Sequence, residues 1–344
     1  MLCLAAAVLC TDVTVVAARL NDHPAPPVVA AAVAKPLPAR PATTTTKPPP
    51  PTTVPPPPPT TTTTTLPIPT KATPHRAGAW SLGPYQGLGV WIDVYDWTNE
   101  YTGGQPKVQL SDIDRMADLG IQTLFVQTAH NGSAADVIEQ DRLIPIIGRA
   151  HDRGMDVVAW YLPTFEDNNV DLRRLEAAAA LPVDGLGVDI ESLAVPDAAD
   201  RTTRLLQLST ALRAAMGART LAAITPSAVH LQVVNPDYWP GFPWPQIGAL
   251  YNVILPMSYW SGRLPEWKSG GLYTGTDIDR IRASTGRPLM PIHVVGGIAD
   301  GITLDDVVGM VHAIQTRQIL GGSLYDWNTS QPQQWALLRA LRFG

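Results

Sequence analysis

The stretch Val183-Asp184-Gly185-Leu186-Gly187-Val188-Asp189-Ile190-Glu191 (VDGLGVDIE) decides how the chain folds. In an extended segment Leu186, Val188 and Ile190 share one face, and Gly185, Gly187, Asp189 and Glu191 share the other. A strand that is apolar on one side, and first small then acidic on the other, suits a barrel. There one face packs under surrounding helices and the other lines the lumen. The glycines then leave room in the lumen, and the two acids sit at and above its rim.

Working outward, short apolar runs recur on both sides of this stretch: GLGVWIDVY, IQTLFVQT, MDVVAWYL, TLAAITPS, NVILPMSYW, PLMPIHVV and GGSLYDW. A helix-like stretch follows each run, including SDIDRMADLG, VDLRRLEAAAA, DAADRTTRLLQLSTALRAAMG and TLDDVVGMVHAIQTRQ. Several open on Ser, Thr or Asp as an N-cap and close at Gly. Eight strand–helix pairs in about 255 residues predict an α/β chain of the (β/α)8 TIM-barrel class. No Gly-x-Gly-x-x-Gly follows the first run, which argues against a doubly wound sheet.

The barrel is expected over residues 80–344. Residues 1–34 contain MLCLAAAVLCTDVTVVAA, the apolar core of an export signal or a membrane-proximal anchor, interrupted by Asp12. Residues 35–79 hold 15 of the 34 prolines, interleaved with threonine. Such a segment cannot bury a core, prefers extended polyproline II and acts as a disordered, semi-rigid spacer. Together they predict a secreted or cell-envelope protein, tethered to membrane or cell wall through its N-terminus and monomeric. Charged residues make up only 16% with a net charge of −5, so the clustered cations needed to hold nucleic acid are lacking. Both cysteines, Cys3 and Cys10, precede the barrel, which excludes a disulfide framework or a cysteine nucleophile there.

Asp189 and Glu191 occupy adjacent positions on one strand face, about 6.6–7 Å apart at the backbone. Two carboxyls that close in a partly dry mouth resist double ionisation, so one keeps its proton to higher pH. A protonated Glu beside an ionised Asp is the pair that glycosidic bond cleavage requires. The bland alternative is a pair of salt-bridged rim supports. On the first run, Asp93 shares a face with Trp91 and Tyr95 and is a candidate across-barrel partner for Glu191.

These residues resemble the family-18 chitinase signature Asp-Gly-x-Asp-x-Asp-x-Glu. Asp184, Asp189 and Glu191 match its first, third and last acids, and Gly187 stands where that family has its middle Asp. MSYW on the sixth strand is similar to the family's Met-x-Tyr-Asp, with Met257 and Tyr259 in register and Trp260 in place of the Asp. YDW on the eighth puts Trp327 near the family's lumenal tryptophan, while VVAWYLP on the third lacks its Ser-x-Gly-Gly. The resemblance implies Glu191 as general acid, Asp189 as the residue orienting a substrate acetamide, and Tyr259 as its hydrogen-bonding partner. GVWIDVYDW with a later Asp-x-Glu more loosely resembles family-25 muramidases, whose Gly-x-Asp-x-Ser has Tyr95 here in place of serine.

Tryptophans crowd the strand ends. Trp97, Trp160, Trp260 and Trp327 end or follow strands, and Trp239, Trp244 and Trp267 fall in later loops. Flat aromatic faces at a barrel mouth suit the apolar faces of sugar rings. Met257, His293 and Gln127 are further candidates for contact with substrate. His130, His230 and His293 lie near strand ends without metal-ligand spacing, so no metal and no cofactor is expected. The expected partner is a polysaccharide or oligosaccharide. The expected function is cleavage of a cell-wall glycan or similar polymer by carboxylate acid/base catalysis, with a non-catalytic carbohydrate-binding barrel as the alternative.

Overall fold

The alternation of apolar runs and amphipathic stretches resolves into eight strands and eight principal helices in strict succession. The computed structural model describes residues 80–261 and 263–342. The expected export segment and Pro/Thr spacer, 1–34 and 35–79, lie outside the described residues. Strand β1 spans Gly87–Ile92 and is followed by α1, Leu110–Asp118; β2, Thr123–Gln127, by α2, Gln140–Asp152; and β3, Asp156–Tyr161, by α3, Asn168–Ala179. Next come β4, Gly185–Asp189, with α4, Ala198–Met216, and β5, Leu221–Pro226, with α5, Trp244–Leu250. The circuit ends with β6, Val253–Ser258, and α6, Gly270–Thr285; β7, His293–Gly297, and α7, Leu304–Thr316; and β8, Gly321–Tyr325, and α8, Pro332–Leu338.

All neighbouring strands pair in parallel in chain order, and β8 closes on β1 with Gly87 opposite Gly321. Parallel strands buried on both faces read as continuous apolar runs, as these do. Of the expected caps, Asp197 and Thr303 accept backbone N–H groups at the starts of α4 and α7; Asp167 and Ser269 do the same for α3 and α6, while Ser111 lies inside α1. Each capping side chain satisfies an otherwise orphaned donor. Among the described residues no helix is long and apolar enough to cross a membrane.

Leu186, Val188 and Ile190 join the core between barrel and helices, as the alternation predicts. The lumen is filled from below. Tyr85, just before β1, reaches up so that its hydroxyl accepts from the Leu186 amide at 3.1 Å and donates to the Leu186 carbonyl at 3.2 Å. Above it His293 bonds the Tyr85 carbonyl at 2.9 Å and the Ser323 hydroxyl at 3.0 Å. Trp91 stacks on Phe125 with centroids 4.3 Å apart and donates to Ser323 at 2.7 Å.

Two glycines of the opening stretch therefore do something other than leave space. A Cβ on Gly185 would strike the Tyr85 hydroxyl, so that glycine admits the plug. A Cβ on Gly187 would sit 3.0 Å from Ile224 and 3.5 Å from Trp160, whose side chains close the lumen beneath the acids.

Candidate active site

Asp189 is the last residue of β4, and Glu191 follows as the chain leaves the barrel. Asp189 is buried and its Oδ1 has no hydrogen-bond partner among the described residues. Burial, reinforced by the Glu191 charge, holds its carboxyl well above the usual range. Burial pushes Glu191 up to about 7. Removing water penalises the charged form of each acid, and each disfavours ionisation of the other. The pair thus keeps a proton near neutrality. The Tyr238 hydroxyl donates to the Glu191 carbonyl at 2.9 Å and fixes the segment that carries it.

Tyr259, one residue past β6 and two strands from β4, is buried. Its phenol is raised first by burial and then by the charges of Glu191, Asp189, Asp326 and Asp93. It therefore lies within the field of all four carboxyls and stays protonated, able to donate. Met257 shares its lumenal face two residues earlier.

Asp93 enters from β1. It is the N-cap of a one-turn helix, Val94–Trp97, and forms a capping box with Asp96. Its carboxylate accepts from the Tyr95 amide at 2.8 Å and from the Tyr325 hydroxyl at 2.6 Å. Burial pushes its pKa up to about 6, against the lowering pull of Tyr325. The rings of Tyr325 and Tyr259 lie 6.2 Å apart, so this tyrosine links the Asp93 arm to the Tyr259 arm. Asp93, Asp96 and Asp326 each offer an oxygen within 4.8 Å of the others, close enough to share a cation. However, Asp96 accepts from the Asp93 amide at 3.0 Å and from Asn328, and both Asp93 oxygens are engaged, so protein donors hold this cluster.

The structure brings Asp189, Glu191, Tyr259, Met257, Asp93 and Trp160 to one end of the lumen. Trp160 lies edge-on to Trp91, with centroids 5.8 Å apart. Other expected contacts are corrected. Trp97 belongs to the one-turn helix, packs outside the barrel and donates to the Gln127 carbonyl at 3.1 Å. The capping box has turned the chain before that tryptophan could line the lumen. Trp260 follows Tyr259 directly, so strand alternation sends it to the opposite face, among the outer core residues. Trp327 packs on Trp335 of α8 at 5.8 Å, with Arg115 over its ring, because the chain turns at Asp326 and Thr329. Trp239 and Trp244 also join the outer core, and Trp267 packs against it. His293 begins β7 rather than ending it and is consumed by Tyr85 and Ser323 deep in the lumen. Gln127 braces the one-turn helix by accepting from the Val94 amide at 3.2 Å.

Tyr325, Asp96 and Tyr238 bond to the candidate site residues, Asp326 acts on them by its charge, and none of the four was singled out from the sequence. Two signals were available. Alternation along GGSLY puts Ser323 and Tyr325 on the lumenal face, and the Asp93-x-x-Asp96 spacing is that of a capping box.

Gly187, which stands where the family-18 signature has an acid, is walled by Ile224 and Trp160. Gly187→Asp should therefore destabilise the barrel by about 2 kcal/mol or more, through overpacking and an unpaired buried carboxyl. Urea unfolding of parent and variant checks this; an unchanged midpoint would mean that the layer has room.

No protein-family model matches the chain, and no curated protein matches it by sequence. Solved structures do match. The spore cortex-lytic enzyme SleL of Bacillus cereus superposes with a TM-score of 0.55 at 10% identity, covering 74% of each chain. A family-18 chitinase from Cycas revoluta, in complex with (GlcNAc)3, gives 0.53 at 11% identity over 74% of this chain and 98% of that one. An endo-1,4-beta-mannanase from Rhizomucor miehei gives 0.50 at 8% identity over 70% and 86%. At these identities the likeness is one of fold. The motif resemblance to family-18 chitinases is thus accompanied by the matching barrel.

Proposed function

We propose that the chain is a glycoside hydrolase of the cell envelope or its surroundings, acting on a polysaccharide such as a cell-wall glycan. The observation that carries this is the Asp189–Glu191 pair. Two carboxyls crowd one rim of the barrel, and burial holds Glu191 near the pKa that a general acid needs at neutral pH. The carbohydrate-cleaving names of the structural neighbours and the family-18-like motif support the same reading.

In this mechanism the Glu191 carboxyl gives its proton to the glycosidic oxygen as the bond to the anomeric carbon breaks. Positive charge then develops on the sugar ring. Asp189, beside it, orients the reacting sugar and offsets that charge. The protonated Tyr259 hydroxyl hydrogen-bonds the group that shares it. Glu191, now ionised, takes a proton from the water that completes hydrolysis and is regenerated. Asp93, through Tyr325, positions substrate from across the barrel. Residues 1–34 would export or anchor the chain and 35–79 would space the barrel, residues 80–344, from membrane or wall as a monomer.

The acid form of Glu191 exists below its pKa, so activity is lost as pH rises. The expected kcat/KM on a cleaved glycan falls about tenfold per pH unit above about 7, as Glu191 loses its proton. An alkaline limb only above pH 9 would remove Glu191 from the role.

One observation favours a second reading, a non-catalytic carbohydrate-binding barrel. The seat of the family's middle acid is occupied here by Ile224 and Trp160 around Gly187.

A further inference from the structure

Three polar side chains at the mouth are buried with hydrogen-bonding atoms unmet. Trp160 of β3 is 5% exposed, Asp189 of β4 is 6% exposed and His230, four residues past β5, is 3% exposed. Trp160 Nε1, Asp189 Oδ1 and both ring nitrogens of His230 have no hydrogen-bond partner among the described residues. The three strands are consecutive, with Trp160 paired to Gly187 and Asp189 to Ile224. Each unmet buried group costs about 1–3 kcal/mol, so several in one sector call for an explanation.

His230 is tied to both arms of the proposed site. Its ring packs edge-on against Tyr238 at 5.1 Å, and Tyr238 donates to the Glu191 carbonyl. The charge of Arg263 also acts on His230, and Arg263 donates to the Tyr259 carbonyl at 2.9 Å. Burial and the Arg263 charge push the imidazole down to about 3, so it is neutral at ordinary pH. A neutral imidazole offers one donor and one acceptor, and the Trp160 indole offers a donor only.

We propose that His230 is a substrate-binding residue that, with Trp160 and beside Asp189, takes an uncharged hydrogen-bonding substituent of the sugar, a hydroxyl or an acetamide. This rests on the glycan reading above and deepens it by naming the substituent class. A hydroxyl or amide both donates and accepts, which matches the unmet groups. A carboxylate or phosphate there would face Asp189 and Glu191. An ammonium would leave the Trp160 N–H unpaired.

The test uses the full chain with Glu191→Gln to stop turnover, and chitotetraose, cellotetraose and a fully deacetylated chitosan tetramer as probes. Binding is read by calorimetry and stability by thermal melting. His230→Phe should keep or raise the melting temperature, since it removes unmet polar atoms and breaks no bond. It should also weaken the better-bound neutral probe at least about tenfold. His230→Gln, which keeps a donor and an acceptor, should restore most of that affinity. A lower melting temperature or loss of folding in His230→Phe would make His230 a structural residue and overturn the inference. Unchanged affinity in His230→Phe would overturn it too, while leaving the glycan reading in place. Tighter binding of the chitosan tetramer than of either neutral probe would overturn the substituent class. No binding of any probe by the chain with His230 intact would remove both readings.

Discussion

Glu191→Gln is expected to reduce glycan hydrolysis by about 10²–10⁴-fold while leaving binding within a few-fold of the parent. General acid catalysis contributes about that factor. Glutamine keeps the shape and hydrogen-bonding capacity of the side chain and loses only the proton it would transfer. Glu191 sits at the barrel mouth, where the Tyr238 hydroxyl holds its backbone carbonyl rather than its carboxyl. The substitution therefore leaves the anchor of that segment untouched, and a fall in kcat reports chemistry rather than collapse of the loop. The split matters: loss of kcat with KM preserved marks an interaction made in the transition state. A parallel loss of binding would instead make Glu191 a substrate ligand. Progress curves with a cleaved oligosaccharide, together with calorimetry on both forms, distinguish the two.

The largest expected effect on stability lies one layer below. Trp91→Ala should cost about 3–5 kcal/mol, as large-to-small substitution of a buried tryptophan does. Its ring is fully enclosed, stacked on Phe125 and edge-on to Trp160, and its N–H is bonded to Ser323. Closed lumens cannot readily collapse into a void, because backbone hydrogen bonds fix the strands that surround it. A loss of that size is a large share of the stability of an ordinary domain, about 5–15 kcal/mol in all. It should move the urea midpoint by about 1 M or more. Trp91→Phe, which keeps the stack and loses the Ser323 bond, should cost less. Because Trp91 also supports Trp160, the alanine variant should bind glycans more weakly even where it remains folded. An unchanged midpoint would contradict the packing described for the lumen.

What the sequence made legible was local and periodic. The alternation in VDGLGVDIE assigns Leu186, Val188 and Ile190 to the helix side and brings Asp189 and Glu191 to the rim, without reference to any distant residue. The caps at Asp197 and Thr303 mark helix starts by a single side chain each. What was hidden depended on where strands end and on contacts across the barrel. Trp97 and Trp327 look like mouth residues until hydrogen bonds at Asp93 with Asp96, and at Asp326 with Thr329, turn the chain ahead of them. His293 looks like a strand end because the two glycines that complete β7 carry no apolar signal.

Glycine misled twice more. Gly185 serves Tyr85, 100 positions earlier in the chain, a contact that no local pattern encodes. The start of α6 at Gly270 and Gly271 reads as a loop on propensity. A Cβ on Gly271 would come within 3.1 Å of the Gly309 backbone, so the glycines let α6 and α7 approach closely. Trp260 is a different case. Its position next to Tyr259 already assigns it to the outer face, and the density of aromatic residues near the strand ends obscured that simpler rule.

The rim carrying Asp189 and Glu191 is proposed to cleave glycosidic bonds. The most direct test is to incubate the full chain with chitin oligomers, peptidoglycan and α- and β-glucans and to read products by mass spectrometry. Fragments that each gain one water are expected from at least one of these glycans, released by the parent and not by Glu191→Gln. Binding of a glycan with no fragment from either form would contradict cleavage at this rim and leave a carbohydrate-binding barrel.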